Sequence, residues 1–283
     1  MALPELAPIT DADVTEYCEF LTRHLNPNIT PDRFLKAFNE RWGMDKPNHG
    51  FLIRDGGRIV GGIGAIYSVR SLRGKPERFC NITGWCVLEP YRAQSMRLAM
   101  ALVSQEDFHY TDLTPTDVVA KSLRFLKFRA LDGSRTVILN VPGISPGVQV
   151  VSDPKELSDV LTPEVAQLHK DHIRFPWLFH AAVGKRGALC YVVYKRKMLK
   201  GLPSGEVLGV SDGELFLRYH RAFGSHVLRR HGMVTTRIES RLLPRKPALA
   251  KELSGYRPKM YKSQSLNEND IDNLYSELVA LDI

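Results

Sequence analysis

Residues 50–71, GFLIRDGGRIVGGIGAIYSVRS, hold two apolar runs split by Asp55-Gly56-Gly57. An aspartate followed by two glycines tolerates the positive φ of a tight hairpin, and the flanking runs read as antiparallel strands. A hairpin this apolar has to be covered, and the flanking sequence supplies helices to cover it. Residues 11–25 space Val14, Cys18 and Leu21 at helical intervals, and residues 31–42 set Phe34, Phe38 and Trp42 on one face. Thr30 ahead of Pro31 supplies an N-cap with proline in the first turn.

Beyond the hairpin, NITGWCVLEP reads as a strand and YRAQSMRLAMALVSQEDF as a helix with Met96, Leu98, Ala101 and Leu102 inward. FHYTDLT is then a short strand, TPTDVVAKSLRFLKF a helix and SRTVILNVP a strand that closes the first half. The predicted order is helix, helix, three strands, helix, strand, helix, strand. This is an α/β chain of the α+β kind, a mixed, largely antiparallel sheet flanked by helices.

The Pro- and Gly-rich stretch 142–154, PGISPGVQVVSDP, breaks the periodicity and predicts a linker, so that residues 1–142 and 143–283 form two domains. The second half predicts a helix at 162–173, a strand at 188–195, a strand in GEVLGVSD, a helix at 213–230, and strands in MVTTRIES and YRPKMYKS. A closing helix in NENDIDNLYSELVALD docks through Ile271, Leu274, Leu278 and Leu281. The second half loosely repeats the latter part of the first, which suggests two tandem halves of one kind.

Composition narrows the class. With 43% apolar and 25% charged residues over 283 positions, the chain can build a core for one large domain or two moderate ones. No uncharged apolar run reaches membrane-spanning length, and MALPELAPITDADV lacks the basic and apolar regions of a secretion signal. Cys18, Cys80, Cys86 and Cys190 form no C-x-x-C pair, which suits reduced, buried thiols in the cytosol. The net charge of +8 divides as +2 in residues 1–142 and +6 in residues 143–283. Such a balance attracts polyanions, among them nucleic acid, anionic lipid, CoA and acidic carrier proteins.

The segment V-L-E-P-Y-R-A-Q-S-M-R-L-A-M-A-L, residues 87–102, resembles motif A of the GNAT N-acetyltransferase superfamily. In that motif a strand ends near a proline, and a loop of pattern [Q/R]-x-x-G-x-[G/A] opens a helix. Free N–H groups and the positive end of the helix dipole there suit a pyrophosphate. The resemblance implies that Arg92, Ala93, Gln94, Ser95, Met96 and Arg97 hold the phosphates of acetyl-CoA or a longer acyl-CoA. It also implies that Cys86, Val87 and Leu88 pair with its pantetheine arm. Residues 111–129 are similar to motif B, with Thr116 at the helix start and Lys127-Phe128 in place of Gly-Phe. Ser95 and Arg97 depart from the glycine or alanine usual at their positions, and Leu123 stands where the family carries a tyrosine acid. The resemblance covers residues 7–141.

On this resemblance the chain is an acyl-CoA-dependent N-acyltransferase acting on a small-molecule amine, without a metal, with the acceptor in the cleft between the halves. Asp112, Tyr110 and Thr83 are the candidate catalytic residues; Asp112 leads, because a carboxyl at a strand end in a splayed sheet can be desolvated. An acyl carrier protein as donor is the second reading, and a catalytically silent binding module is the third. A membrane partner is not expected, and nucleic acid is the least favoured partner, since no helix-turn-helix or zinc pattern is present. His169 and His172, at i and i+3 around Asp171, lack a third ligand and read as surface residues.

Overall fold

The computed structural model describes residues 3–283. The chain runs β1 (Glu5–Pro8), α1 (Val14–His24), α2 (Pro31–Phe38), β2 (Gly50–Asp55), β3 (Arg58–Leu72), β4 (Lys75–Val87), a 3-10 turn (Glu89–Gln94), α3 (Ser95–Val103), β5 (His109–Asp112), α4 (Asp117–Phe125) and β6 (Arg129–Leu131). It continues through β7 (Arg135–Leu139), β8 (Gln149–Val151), α5 (Pro154–Val160), α6 (Pro163–His172), β9 (Leu178–Lys185), β10 (Ala188–Leu199), β11 (Leu202–Val210), α7 (Gly213–His231), β12 (Thr235–Glu239), β13 (Ala250–Leu253), β14 (Lys259–Lys262) and α8 (Glu277–Ala280).

These elements form two seven-stranded sheets of the same design. The first has the order β1-β2-β3-β4-β5-β14-β6 and the second β8-β9-β10-β11-β12-β7-β13. In each, four strands run antiparallel, a helix carries the chain over to a parallel fifth strand, and an antiparallel sixth follows. A parallel neighbour requires such a crossover, here α3 in one sheet and α7 in the other. The mixed, largely antiparallel α+β architecture expected from the sequence is therefore present.

The sixth strands are exchanged. YRPKMYKS, expected in the second half, supplies β14 to the first sheet, and SRTVILNVP, expected to close the first half, supplies β7 to the second. Two compact units follow. One comprises the chain through Leu131 with Arg257–Asn267 and Tyr275–Ile283; the other comprises Asp132–Tyr256 with Glu268–Leu274. The expected boundary at 142/143 thus moves to 131/132, and the expected linker carries β8, which pairs with β9. A short antiparallel strand carries no local mark of the sheet it joins, so sequence order alone assigns it to the wrong one.

In the first unit, Val60, Ile63, Cys80 and Ile82 of β3 and β4 pack with Leu98 and Leu102 of α3, Leu123 of α4 and Met260 of β14. Each fully buried aliphatic side chain contributes about 1.5–3 kcal/mol by leaving water. The aromatic residues of α1 and α2 lie close to the sheet because β3 has glycines beneath them. A Cβ at Gly62 would come within 2.3 Å of the Tyr17 ring, and one at Gly64 within 2.5 Å of the Phe38 ring. The Thr30 hydroxyl caps α2 by accepting from the Arg33 N–H, as its position predicts.

Two other expectations are corrected. The tail is not one helix: Tyr275 takes φ +54° and turns the backbone, with a 3-10 turn at Glu268–Asp270 before it and α-helix only at Glu277–Ala280. His169 and His172 are buried at 4% and 0% exposure, since α6 lays that face on its sheet. No described helix is long and apolar enough to cross a membrane.

Met260 sits fully buried in the sixth position of the first sheet. Met260→Ala is expected to cost about 2–5 kcal/mol in chemical denaturation. The same truncation at Met198, 58% exposed, is expected to cost much less.

Candidate functional site: a fork between two parallel strands

Parallel β4 and β5 pair at three positions only, Phe79 with His109, Cys80 with Tyr110 and Asn81 with Thr111. β5 then stops at Asp112, while β4 continues to Val87. On its other edge β4 stays paired with β3, except where Gly84 and Trp85 together oppose Ile63 between the pairs Gly64–Thr83 and Gly62–Cys86. This is a bulge, and Gly84 takes the φ of +63° that it needs. The Tyr17 hydroxyl donates to the Gly84 carbonyl at 2.5 Å and fixes it. Among the described residues no strand pairs with the β5-facing edge of β4 over residues 82–87. An open edge of this kind accepts an extended, amide-bearing chain by strand-like hydrogen bonding.

A buried polar cluster closes the base of the fork. Asn81 donates to the Thr111 hydroxyl at 3.0 Å and accepts from the Glu277 N–H at 3.1 Å. One Glu277 oxygen, Oε1, accepts from the Leu113 N–H at 3.2 Å and from the Thr114 hydroxyl at 2.9 Å. The other, Oε2, is buried without a hydrogen-bond partner among the described residues. Asp112 accepts from the Thr114 N–H at 3.2 Å. Glu277 is 0% and Asp112 5% exposed.

Burial holds the Asp112 carboxyl well above the usual range, the nearby Glu277 charge raises it further, and the Thr114 N–H opposes both. Burial raises Glu277 too, but the Thr114 hydroxyl, its own backbone N–H, Lys259 and Asn81 all favour its charged form. Two buried carboxyls at one site do not both ionise cheaply. Four groups favour the charged form of Glu277, whereas only the Thr114 N–H favours that of Asp112.

The remaining predicted residues divide. Thr83 is buried beside the bulge. Tyr110 is tied instead to the end of α3, its hydroxyl bonding the carbonyls of Gln105 at 2.6 Å and Leu102 at 3.1 Å. Cys86 and Val87 lie on the open stretch of β4, and the Leu88 N–H donates to Val60. Leu123, at the position of the family's tyrosine, is core. The Thr116 hydroxyl caps α4 by accepting from the Val119 N–H.

The expected phosphate loop is closed. Residues 89–94, which include Arg92, Ala93 and Gln94, wind into the 3-10 turn that leads directly into Ser95, Met96 and Arg97 of α3. The Tyr91 N–H is spent on Leu88 and the Ser95 N–H on Arg92. At the start of the turn the Leu88 N–H is spent on Val60 and Pro90 has none, so neither end of the turn presents a row of free N–H groups. Arg92 is 72% exposed and 3.8 Å from Glu89, while Arg97 donates to the Pro4 carbonyl and to Gln94. The edge of β4 over residues 82–87 is open to an extended chain, whereas the Tyr91 and Ser95 N–H groups are taken up within the turn.

The second unit has the corresponding fork, and its own chain fills it. β11 and β12 pair at Ser204–Thr235, Gly205–Thr236 and Glu206–Arg237, after which β11 runs on to Val210. There the Asn273 N–H donates to the Leu208 carbonyl at 3.1 Å, and Leu274 lies against Gly209. Glu206 at this fork is held by Arg135 at 2.5 Å and Arg237 at 3.4 Å, so it is committed to ion pairs.

The carboxyl pair has a pH signature. Asp112 has a folded pKa raised above its ordinary 3.8, so its contribution to stability is full below that value and is lost as pH rises towards the folded value. Asp112→Asn does not titrate, so its melting temperature relative to the unsubstituted chain is expected to climb between pH 4 and pH 8. A difference that stays flat over this window would contradict the raised Asp112 value.

No protein-family model matches the chain, and no curated protein matches it by sequence. Solved structures do. A GCN5-related N-acetyltransferase from Anabaena variabilis superposes with a TM-score of 0.61 over 92% of this chain and 72% of that one, at 11% identity. A GCN5-related N-acetyltransferase from Kribbella flavida gives 0.56 over 92% and 70%, at 14% identity. With its strand order, its crossover helix and its forked parallel pair, the chain has the fold of the GCN5-related N-acetyltransferases.

Proposed function

We propose that the first unit is an N-acyltransferase that takes an acyl group from a thioester lying in the β4–β5 fork and passes it to an amine. The observation that carries this reading is the buried Asp112–Glu277 carboxyl pair at the base of an open strand edge. The N-acetyltransferases of like fold support it at the level of reaction class.

In this mechanism the amine nitrogen attacks the thioester carbonyl and gives its proton to the Glu277 carboxylate. The carbon–sulfur bond breaks, and Asp112 returns a proton to the departing thiolate, so the pair begins and ends the cycle with one proton. Thr83 borders the Gly84 bulge, where the β3–β4 ladder is interrupted.

The donor is acetyl-CoA or a longer acyl-CoA in the leading reading, with a small-molecule amine as acceptor. The closed turn at Glu89–Gln94 favours a second donor class, an acyl carrier protein, of which the pantetheine arm alone need be read. The charge of +6 over residues 143–283 suits an acidic carrier.

Thiol release measured across acyl-CoA, acyl-pantetheine and acyl-carrier-protein donors with a panel of amines tests both points. Glu277→Gln is expected to lower kcat by about 10²–10⁴ with KM for the thioester little changed. Asp112→Asn is expected to slow thiol release as well. A wild-type rate in Glu277→Gln would remove the assigned base. Donor binding without thiol release for every amine would leave a binding module and overturn the transfer reading. Equal KM for acyl-CoA and acyl-pantetheine is the result expected of a loop that does not grip the pyrophosphate.

A further inference from the structure

Four large apolar side chains of the second unit stand in water: Leu139 is 62%, Val141 50%, Ile144 90% and Leu249 91% exposed. Apolar residues scattered singly over a surface need no explanation, but these four border one cavity of about 620 Å³. Leu139 ends β7, Val141 and Ile144 follow it, Leu249 precedes β13, and α7 contributes Arg221 and Gly224. A second cavity of about 320 Å³ shares Gly143, Ile144 and Ser145 with the first and adds Arg229 of α7. Ile144 therefore projects between two hollows.

The fold holds both apolar tips in place. Ser225 of α7, 2% exposed, accepts from the Gly143 N–H at 3.1 Å and donates to the Gly143 carbonyl at 3.0 Å, and the Val148 N–H donates to Ser145 at 3.0 Å. The backbone polar groups of Gly143 are thus met inside the protein, and Ile144 is presented from a fixed loop. Leu249 takes φ +61°, a left-handed conformation that costs any residue with a side chain, and at 91% exposure it gains no packing in return.

Charge says what covers these tips. Among the described residues no aspartate or glutamate lines either cavity. The cations there are Arg221 and Arg229, with Arg245 and Lys246 just ahead of Leu249, and all four are exposed. A second copy of this chain would set these cations against their own kind, which opposes self-association through the patch. A folded partner would have to supply pockets shaped to two protruding tips. The fluid, negatively charged face of a bilayer accepts such tips without preformed pockets and attracts the cations around them.

We propose that this patch of the second unit docks on an anionic lipid surface, with Ile144 and Leu249 entering the interface and the four cations at the headgroups. No described helix is long and apolar enough to cross a membrane, and a surface contact of this kind requires none. The inference concerns the second unit alone and stands whether or not the first unit transfers acyl groups.

The full chain is tested by co-sedimentation with vesicles of phosphatidylcholine alone and of phosphatidylcholine mixed with phosphatidylserine. It is expected to sediment with the mixed vesicles, at least about tenfold more weakly with the neutral ones, and less as salt rises. Ile144→Asp is expected to lower the partition coefficient about tenfold or more with little change in melting temperature, since so exposed a side chain adds little to the fold. Leu249→Gly relieves the left-handed backbone, so it is expected to weaken binding without lowering the melting temperature. Arg221→Gln combined with Lys246→Gln is expected to flatten the salt dependence, and Ile144→Trp to shift its emission to shorter wavelength on mixed vesicles only. The proposal is overturned if mixed vesicles do not carry the chain down, if neutral vesicles carry it equally, or if Ile144→Asp sediments as the unsubstituted chain does. A dimer that Ile144→Asp splits, or an acyl carrier protein that binds at Ile144 while vesicles do not, would overturn it as well.

Discussion

The placement of β14 between β5 and β6 decides what the rest of the first unit can be. That slot is filled by a strand more than a hundred residues from its neighbours, with Met260 in the core against β5 and Tyr261 and Lys259 in register with β6. After β14 the chain passes through the second unit at Glu268–Leu274, and the turn at Tyr275 then delivers Glu277 to the fork of the first. The chain that completes the sheet thus also completes a site. β7 does the reciprocal service for the second sheet, so neither sheet is built from one continuous stretch of chain.

The two forks show how the same topology takes different contents. A parallel pair that separates after three residues leaves one strand edge without a partner, and exposed N–H and C=O groups have to be satisfied by something. In the second unit the chain itself answers the need, with Asn273 bonding Leu208 and Leu274 seated on Gly209. In the first unit the corresponding chain bonds the Asn81 side chain, not the backbone edge of β4, and brings in a carboxylate. Glu206 is paired with two arginines, whereas Glu277 has one oxygen without a partner among the described residues. The two forks therefore differ in how their carboxylates are committed.

Two buried clusters, the Asp112–Glu277 carboxyl pair of the first unit and the hydrogen-bonded His169–Tyr191–His180 relay of the second, leave polar atoms incompletely satisfied. An orphaned buried donor or acceptor costs about 1–3 kcal/mol, so a protein that keeps several together in one place is holding them against the trend of folding. At the carboxyl pair burial raises both groups, and in the His169–Tyr191–His180 relay the single phenol proton requires opposite tautomers of the two neutral rings.

Much of the local structure was legible in the sequence because local rules produce it. The Asp55-Gly56-Gly57 hairpin, the Thr30 cap and the alternation of strands and helices from residue 11 through residue 128 depend on neighbours within a few positions, whereas β1 was not foreseen. The strand-end position of Asp112 likewise pointed to a desolvated carboxyl, which is where it lies. Tertiary structure alone decided the rest. Which sheet receives β7 or β14, and whether Glu277 meets Asp112, are set by pairings across long separations, for which composition and periodicity carry no signal. The closure of residues 89–94 was decided in the same way. Ser95 and Arg97 marked the departure from an open glycine loop, but only the fold shows the N–H groups spent inside a 3-10 turn and Arg97 engaged by Pro4. His169, polar and helical, read as solvated until a sheet was packed against its face, because burial is a property of the partner surface and not of the residue.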